Sequence, residues 1–352
     1  MSQTPIGPVD ALRRIAFLLE RAQAETYRVQ AFRTAAAVLA PMDPDDVAAR
    51  ARAGTLATLK GVGPRTAAVA EQAVAGAVPD YLQRLEDEAA PIGTGAGEEL
   101  LAALRGDLHT HSDWSDGGSP VPEMAATAAA LGHDYAALTD HSPRLTVANG
   151  LSPARLRDQL ELVAAVDAAM DGFRLLSGIE VDIDEDGVLD QEPAMLDRLD
   201  VVVASVHSKL RMVSGPMTHR MLEAVKDPHT DVLGHCTGQM VTGSSSRGAS
   251  NRRTGRPPST FDAGLVFAEC ARREVAVEIN CRPERQDPPD ELLRRAVDAG
   301  CLFSIDTDAH APGQLDWQAL GCDRAVRCGV EPDRVVNTWD VDRLLAWTSR
   351  NR

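Results

Sequence analysis

Two kinds of hydrophobic spacing divide the chain. From Ala11 to Gln30, residues Leu12, Ile15, Leu18, Leu19 and Ala22 recur at helical spacing, and Ala31 to Leu39 continues in the same style. Pro41-Met42-Asp43-Pro44 breaks the pattern. Helices are predicted again over 45–53 and 66–75, flanking the stretch Leu59-Lys60-Gly61-Val62-Gly63-Pro64-Arg65. A Gly-Thr-Gly-Ala-Gly run at 93–97 reads as a linker, giving a helical domain at 1–90, a linker at 91–103 and a second domain at 104–352.

From Gly106 the spacing shortens. Short β-rich runs lie at 107–111, 135–139, 175–181, 201–206, 231–234, 275–279 and 302–305, separated by helical patterns such as 121–131, 153–170, 261–272 and 289–299. Strand alternating with helix predicts a parallel sheet with right-handed crossovers. Seven such units predict an α/β barrel rather than an open sheet. A long Gly-, Ser- and Arg-rich segment, 243–259, is expected to be a loop over the barrel's C-terminal face.

Composition narrows the function classes. No apolar run reaches the roughly 18 residues of a membrane span, and Met1 to Asp10 lacks a basic start followed by an apolar stretch. A cytoplasmic protein with no membrane role is therefore expected. A net charge of −16 argues against a protein that coats nucleic acid non-specifically, but not against a nucleic-acid enzyme whose bound cations offset the charge locally. The six cysteines form no C-x-x-C pair and are expected to be reduced. Cys236, although next to His235, is expected to fill a small buried space.

The candidate chemistry lies at the strand ends. Nine imidazole or carboxylate residues, His109, His111, Asp116, His141, Glu180, His207, His235, Asp308 and His310, fall at or just after the C-terminal ends of predicted strands. Barrel enzymes place their sites there. His109 and His111 are spaced i, i+2 and so project to one side of a strand, and Asp308 and His310 repeat that spacing. Such a gathering is costly to bury without cations, and these donors suit zinc, manganese and iron alike. His133, His219 and His229 have no such company and are expected to be ordinary surface or core residues. Among nearby basic residues, Lys209 and Arg285 are the expected phosphate contacts, ahead of Arg211, Arg282 and the loop residues Arg247, Arg252, Arg253 and Arg256.

Over about residues 104–330 these motifs, in this order, resemble the polymerase and histidinol phosphatase (PHP) superfamily. The resemblance implies a distorted seven-stranded β/α barrel, preceded here by a small all-α domain, and as many as three divalent metal ions. It implies that His109, His111, Glu180 and Asp308 hold the first, that Glu180 bridges to a second held by His207 and His235, and that Asp116, His141 and His310 hold the third. The family's Ser-Asp-Gly ending favours Asp116 over Asp113. Glu180, His207 and Asp308 are the expected catalytic residues. Clustered divalent cations acidify water and absorb the charge of phosphoryl transfer, so hydrolysis of a phosphate ester without a covalent enzyme intermediate is expected. Asp107 and Asp140 precede ligands and are expected to support them.

Leu59 to Ala67 fits a helix-hairpin-helix, whose Gly-x-Gly turn and following helix N-terminus can meet a DNA phosphate; Gly61, Gly63, Lys60 and Arg65 are the expected contacts. With Tyr27-Arg28-Val29-Gln30-Ala31-Phe32-Arg33, this segment is similar to the N-terminal domain of bacterial family X DNA polymerases. Only roughly 16 residues, Ala90 to Gly106, separate it from the barrel, too few for a nucleotidyl-transfer palm, so no polymerase activity is expected. A Schiff-base lyase is disfavoured because Lys60 is the sole lysine of the N-terminal domain. The leading expectation is a phosphoesterase on DNA ends or abasic sites, most of all a 3′ to 5′ exonuclease. The alternatives are a phosphatase for a small metabolite such as a nucleotide bisphosphate or histidinol phosphate, and a DNA-binding scaffold without catalysis.

Overall fold

The computed structural model describes residues 6–241 and 255–351. The chain divides into two compact units, Met1–Pro91 and Ile92–Arg352.

The first unit is all helix: α1 Pro8–Arg21, α2 Thr26–Leu39, α3 Pro44–Arg52, α4 Pro64–Val74 and α5 Asp80–Glu88. Leu12, Ile15 and Leu19 of α1, Phe32 and Leu39 of α2, and Leu56 are fully or almost fully buried in one core. Proline opens α1, α3 and α4 at the first turn, where its missing N–H costs nothing. The continuous helical spacing over 11–39 resolves into two helices, because Gln23 turns left-handed at φ 52 between them. No glycine or proline marks that break.

The second unit opens with α6, Glu98–Ala103, inside the stretch expected to be a linker. The glycines there are not loose. Asp323, more than 200 residues away in sequence, accepts from the Gly97 N–H at 2.8 Å and from both the N–H and the hydroxyl of Thr94. A Cβ on Gly97 would lie 2.4 Å from the Cys322 carbonyl carbon, so only glycine permits this approach.

Seven strands follow: β1 Gly106–Thr110, β2 Tyr135–Leu138, β3 Arg174–Asp182, β4 Val201–Ser205, β5 Val232–Leu233, β6 Ala276–Asn280 and β7 Leu302–Asp306. All neighbours are parallel and the strand order is sequential. Helices α7 Val121–Ala130, α8 Pro153–Ala168, α9 Pro193–Leu196, α10 Ser214–Lys226, α11 Ala263–Arg273 and α12 Asp290–Asp298 occupy the crossovers, and α13 Gln318–Cys328 and α14 Val341–Thr348 follow β7. The barrel nearly closes. Where β1 meets β7, one bridge joins Thr110 to Ala309, and His111 N–H donates to the Ala309 carbonyl at 2.8 Å. Below it, side-chain amides replace a ladder: Asn337 and Gln318 each donate to the carbonyls of Gly106 and Ile305. This seam is the distortion of the expected seven-stranded barrel.

Polarity changes along the barrel axis. The inner cluster of Leu176, Val201, Val203, Val232 and Ala276 packs with Trp339 and Trp347. At the C-terminal ends of β3, β6 and β7, Glu180, Asp182, Glu278, Asn280 and Asp306 are buried. Alternation puts residues two apart on one face, so the run Leu176, Gly178, Glu180, Asp182 of β3 carries that face from apolar to acidic. Outward-facing Ile179, Val181, Val277, Ile279 and Phe303 belong to the larger core.

Candidate metal centre

The nine strand-end residues converge. Glu180, 1% exposed on β3, sits at the centre. Its Oε1 lies 3.1 Å from His207 Nε2 and 2.8 Å from His235 Nε2. Its Oε2 lies 3.4 Å from His109 Nε2, 3.6 Å from His111 Nε2 and 2.8 Å from His141 Nδ1. Asp308 Oδ1 is 3.4 Å from His111 Nε2 and 4.0 Å from His109 Nε2. Asp116 Oδ1 stands 3.4 Å from His141 Nε2 and 3.3 Å from His310 Nε2. Among the described residues three overlapping sets have potential ligand atoms within 4.8 Å of one another: His111 with Asp116, His141 and His310; His109 with His111 and Glu180; and His141 with Glu180 and His207. His141 therefore borders two sets, since one ring nitrogen faces Glu180 and the other Asp116.

The unsatisfied atoms locate the centre. His109 Nε2, both ring nitrogens of His111, His207 and His235, His141 Nδ1 and both Glu180 oxygens are buried without a hydrogen-bond partner among the described residues. Orphaned buried groups of this kind are rare in folded proteins because each costs about 1–3 kcal/mol. A set of unshared lone pairs facing one another is what divalent cations require, so these residues fit such ions.

Electrostatics point the same way. Burial raises the Glu180 carboxyl, but His207, His109 and His141 outweigh it and hold it well below the usual carboxylate range. Burial likewise raises Asp308, and Arg282, Arg285 and His109 overcome it. Burial drives His235 down to about 4, with Arg285 adding to it, and drives His111 well below its ordinary value. Both stay neutral and able to donate a lone pair. Burial also lowers His141, but Glu180 and Asp116 lift it to about 10. Asp308 takes the left-handed conformation at φ 51, which a residue without glycine's freedom adopts at some cost.

Supporting carboxylates surround the nine. Asp182, on the face of β3 that carries Glu180, accepts from the His207 N–H at 3.0 Å and lies 3.4 Å from His207 Nδ1. Asp107 accepts from the N–H groups of His109 and Thr307 and from the Thr307 hydroxyl. Asp140 accepts from Ser112, Ser115 and Gln159 and so holds the loop after β1. Glu278 of β6, which no sequence motif singled out, stands 2.6 Å from His109 Nδ1.

The basic residues divide. Arg285 Nε is 3.0 Å from Asp308 Oδ2, which places its guanidinium beside the cluster. Lys209 is not brought to the cluster: its side chain is 65% exposed and its ammonium lies 4.0 Å from Glu185. Lys209, four residues beyond β4, turns left-handed at φ 53, and its side chain lies outward. Arg282 takes its place, with Nη1 at 2.9 Å from His310 Nδ1 and 3.5 Å from Asp308 Oδ1, clamped from behind by Glu284. Arg256 donates to the Gly238 carbonyl, while Arg247, Arg252 and Arg253 lie outside the described residues. Cys236 is buried beside Asp287, as expected of a packing residue. His219 is exposed, and His229 does find partners, in Asp227 and Asp197.

In the helical unit, the turn before α4 presents Lys60, Gly61, Gly63 and Arg65 to solvent. Gly61 is left-handed at φ +96. Gly63 N–H donates to Thr66 Oγ1 at 3.0 Å, which caps the helix start. Sequence spacing gave no sign of a cationic cluster that three helices assemble. Arg28 of α2 donates to the Tyr81 hydroxyl at 2.8 Å, and the Arg65 and Arg84 guanidiniums lie 5.7 and 4.9 Å from the Tyr81 ring centre.

Among the described residues no helix is long and apolar enough to cross a membrane. Residues 107–248 match the PHP domain model, and residues 8–77 match a helix-hairpin-helix domain model. The chain is 34% identical over 251 residues to "DNA polymerase/3'-5' exonuclease PolX" of Bacillus subtilis, covering 71% of this chain but 42% of that protein. It is 32% identical over 213 residues to a "Probable phosphatase" of Acetivibrio thermocellus, covering 58% of this chain and 78% of the relative. Histidinol phosphate phosphatase of Lactococcus lactis, solved with zinc, L-histidinol and phosphate, superposes with a TM-score of 0.46 at 18% identity, over 65% of this chain and 95% of that one. From its barrel, its strand-end cluster, the PHP domain match and the relative covered over 78% of its length, the chain belongs to the PHP family of metal-dependent phosphoesterases.

Proposed function

We propose that this protein hydrolyses phosphodiesters at DNA ends or abasic sites, with 3′ to 5′ exonuclease activity the leading form, and that it does not polymerise DNA. One observation carries the reading: a single chain joins the convergent imidazole–carboxylate cluster to a helix-hairpin-helix unit with an exposed cationic turn. Similarity to a Bacillus protein named a 3′-5′ exonuclease supports it.

In this proposal three divalent ions of zinc, manganese or iron occupy the cluster. His109, His111, Glu180 and Asp308 hold one, Glu180 with His207 and His235 a second, and Asp116, His141 and His310 the third. When bound, such ions acidify water and absorb the charge that builds on phosphorus. Glu180 directs one oxygen towards each of the first two groups. Arg285 and Arg282, packed against Asp308, orient the phosphate oxygens by charge-assisted hydrogen bonds. Lys60, Arg65 and the backbone at Gly61 and Gly63 bind DNA phosphates. A small-molecule phosphatase is the second reading, favoured by relatives named as probable phosphatases, one of which aligns over 95% of its length.

The test is a substrate panel on manganese-loaded protein: blunt, recessed and abasic duplexes beside a nucleotide bisphosphate. Shortening of duplex ends is expected. Hydrolysis of the bisphosphate with DNA left intact overturns the DNA reading.

A further inference from the structure

Strand β6 supplies none of the nine residues, yet its inward face carries the two side chains that tie three of them together. Glu278 is fully buried, and its Oε1 lies 2.6 Å from His109 Nδ1. Its other oxygen accepts from the backbone N–H of His235 and, at 3.3 Å, from the Asn280 amide. That amide also donates to Asp308 Oδ2 at 3.1 Å. Glu278 and Asn280, two residues apart on one strand, thus brace groups held by β1, by the loop after β5 and by the loop after β7.

We infer that Glu278 is a positioning residue for the metal centre. With Nδ1–H donated to Glu278, the His109 ring presents the bare Nε2 lone pair to Glu180 and Asp308. His109 Nε2, buried and without a hydrogen-bond partner among the described residues, is the atom this tautomer leaves free. A carboxylate behind an imidazole fixes its orientation and raises its strength as a donor. Asn280, held by the same carboxylate, does the equivalent for Asp308. The inference rests on His109 and Asp308 being metal ligands.

The experiment compares wild type, Glu278→Gln and His109→Ala by competing zinc away with a chromophoric chelator. Unfolding midpoints and ¹⁵N histidine shifts of the zinc-loaded proteins accompany it. Glu278→Gln should weaken zinc binding about 10- to 100-fold, the usual loss when such a partner is changed. Its unfolding midpoint in chelator should fall modestly, because the Gln amide turns an NH2 group towards a donor, His109 Nδ1–H or the His235 N–H, from which a carboxylate oxygen accepted. The His109 Nδ1 shift should move, because that N–H loses its carboxylate acceptor while zinc ligation through Nε2 keeps the proton at Nδ1. Wild-type zinc affinity and an unchanged His109 Nδ1 shift in Glu278→Gln, with affinity lost in His109→Ala, overturn the inference alone. An unchanged zinc complement in His109→Ala overturns the ligand assignment beneath it. If Glu278→Gln fails to fold, Asn280→Ala reads the same brace at Asp308, and unchanged zinc affinity there overturns the inference.

Discussion

Replacing Gly63 by Asp puts a carboxylate on the turn proposed to meet DNA, at a position that tolerates it. The Gly63 backbone, at φ −88 and ψ 170, has the extended conformation of a helix N-cap, and a Cβ built there meets nothing within 4 Å. Gly61 offers no such choice: its φ is +96 and a Cβ would press on Thr34 and Val38 at 3.0 and 3.1 Å. As an N-cap, Asp improves on Gly by a few tenths of a kcal/mol, and its charge at the helix N-terminus adds about 0.3–1 kcal/mol. The helical unit should therefore unfold at the same or a slightly higher temperature. DNA binding should change the other way. One lost charge-assisted bond to phosphate is worth about 1.5–3 kcal/mol, roughly a 10- to 150-fold weaker complex. The slope of log affinity against log salt should shrink by about one. Anisotropy titrations of a labelled duplex over a salt series, on a Glu180→Ala background that leaves the DNA intact, measure both. A folded Gly63→Asp variant with unchanged affinity and slope would refute the assignment of this turn.

Two further outcomes follow from the barrel. Arg285→Ala, which removes the guanidinium 3.0 Å from Asp308, should lower kcat/KM about 10- to 100-fold through a lost charged hydrogen bond, whereas Lys209→Ala should stay within about twofold. The reverse order in steady-state kinetics would restore Lys209 as the phosphate contact. In chelator-treated protein, His141 is lifted to about 10 from its ordinary 6.5 by Glu180 and Asp116 despite burial. A raised imidazole contributes stability that is complete below about pH 6.5 and is lost as pH rises through about 10. The metal-free unfolding midpoint should therefore fall between pH 7 and 10, and a midpoint constant over that range contradicts the protonation scheme.

The barrel was legible because fully buried parallel strands read as continuous apolar runs, and because residues of ligand type interrupt those runs at one end. Glu180, His207 and His235 each interrupt or follow such a run, and His109 opens the His-x-His pair of β1, so their meeting required only that the strands lie side by side. What sequence could not carry was direction after a strand ends. Lys209 and Arg282 both follow inner-face residues, yet a left-handed turn at Lys209 points it to solvent, while Glu284 pins Arg282 against His310. Contacts between distant residues were equally hidden. The glycines at 93–97 read as a linker because nothing near them announces Asp323, and Glu278 read as one polar position in a strand because His109 lies 169 residues away. The break at Gln23 lacked any marker, since the left-handed residue there is neither glycine nor asparagine.

The proposed dependence of phosphoester hydrolysis on divalent ions gathered around Glu180 is read from turnover against bound metal per chain, in wild type and in Glu180→Ala. Wild-type turnover should rise with metal content to about three ions per chain and vanish on chelation, and Glu180→Ala should lose both metal and at least about a thousandfold in kcat while remaining folded. Full turnover in metal-stripped protein, or in Glu180→Ala, would contradict it.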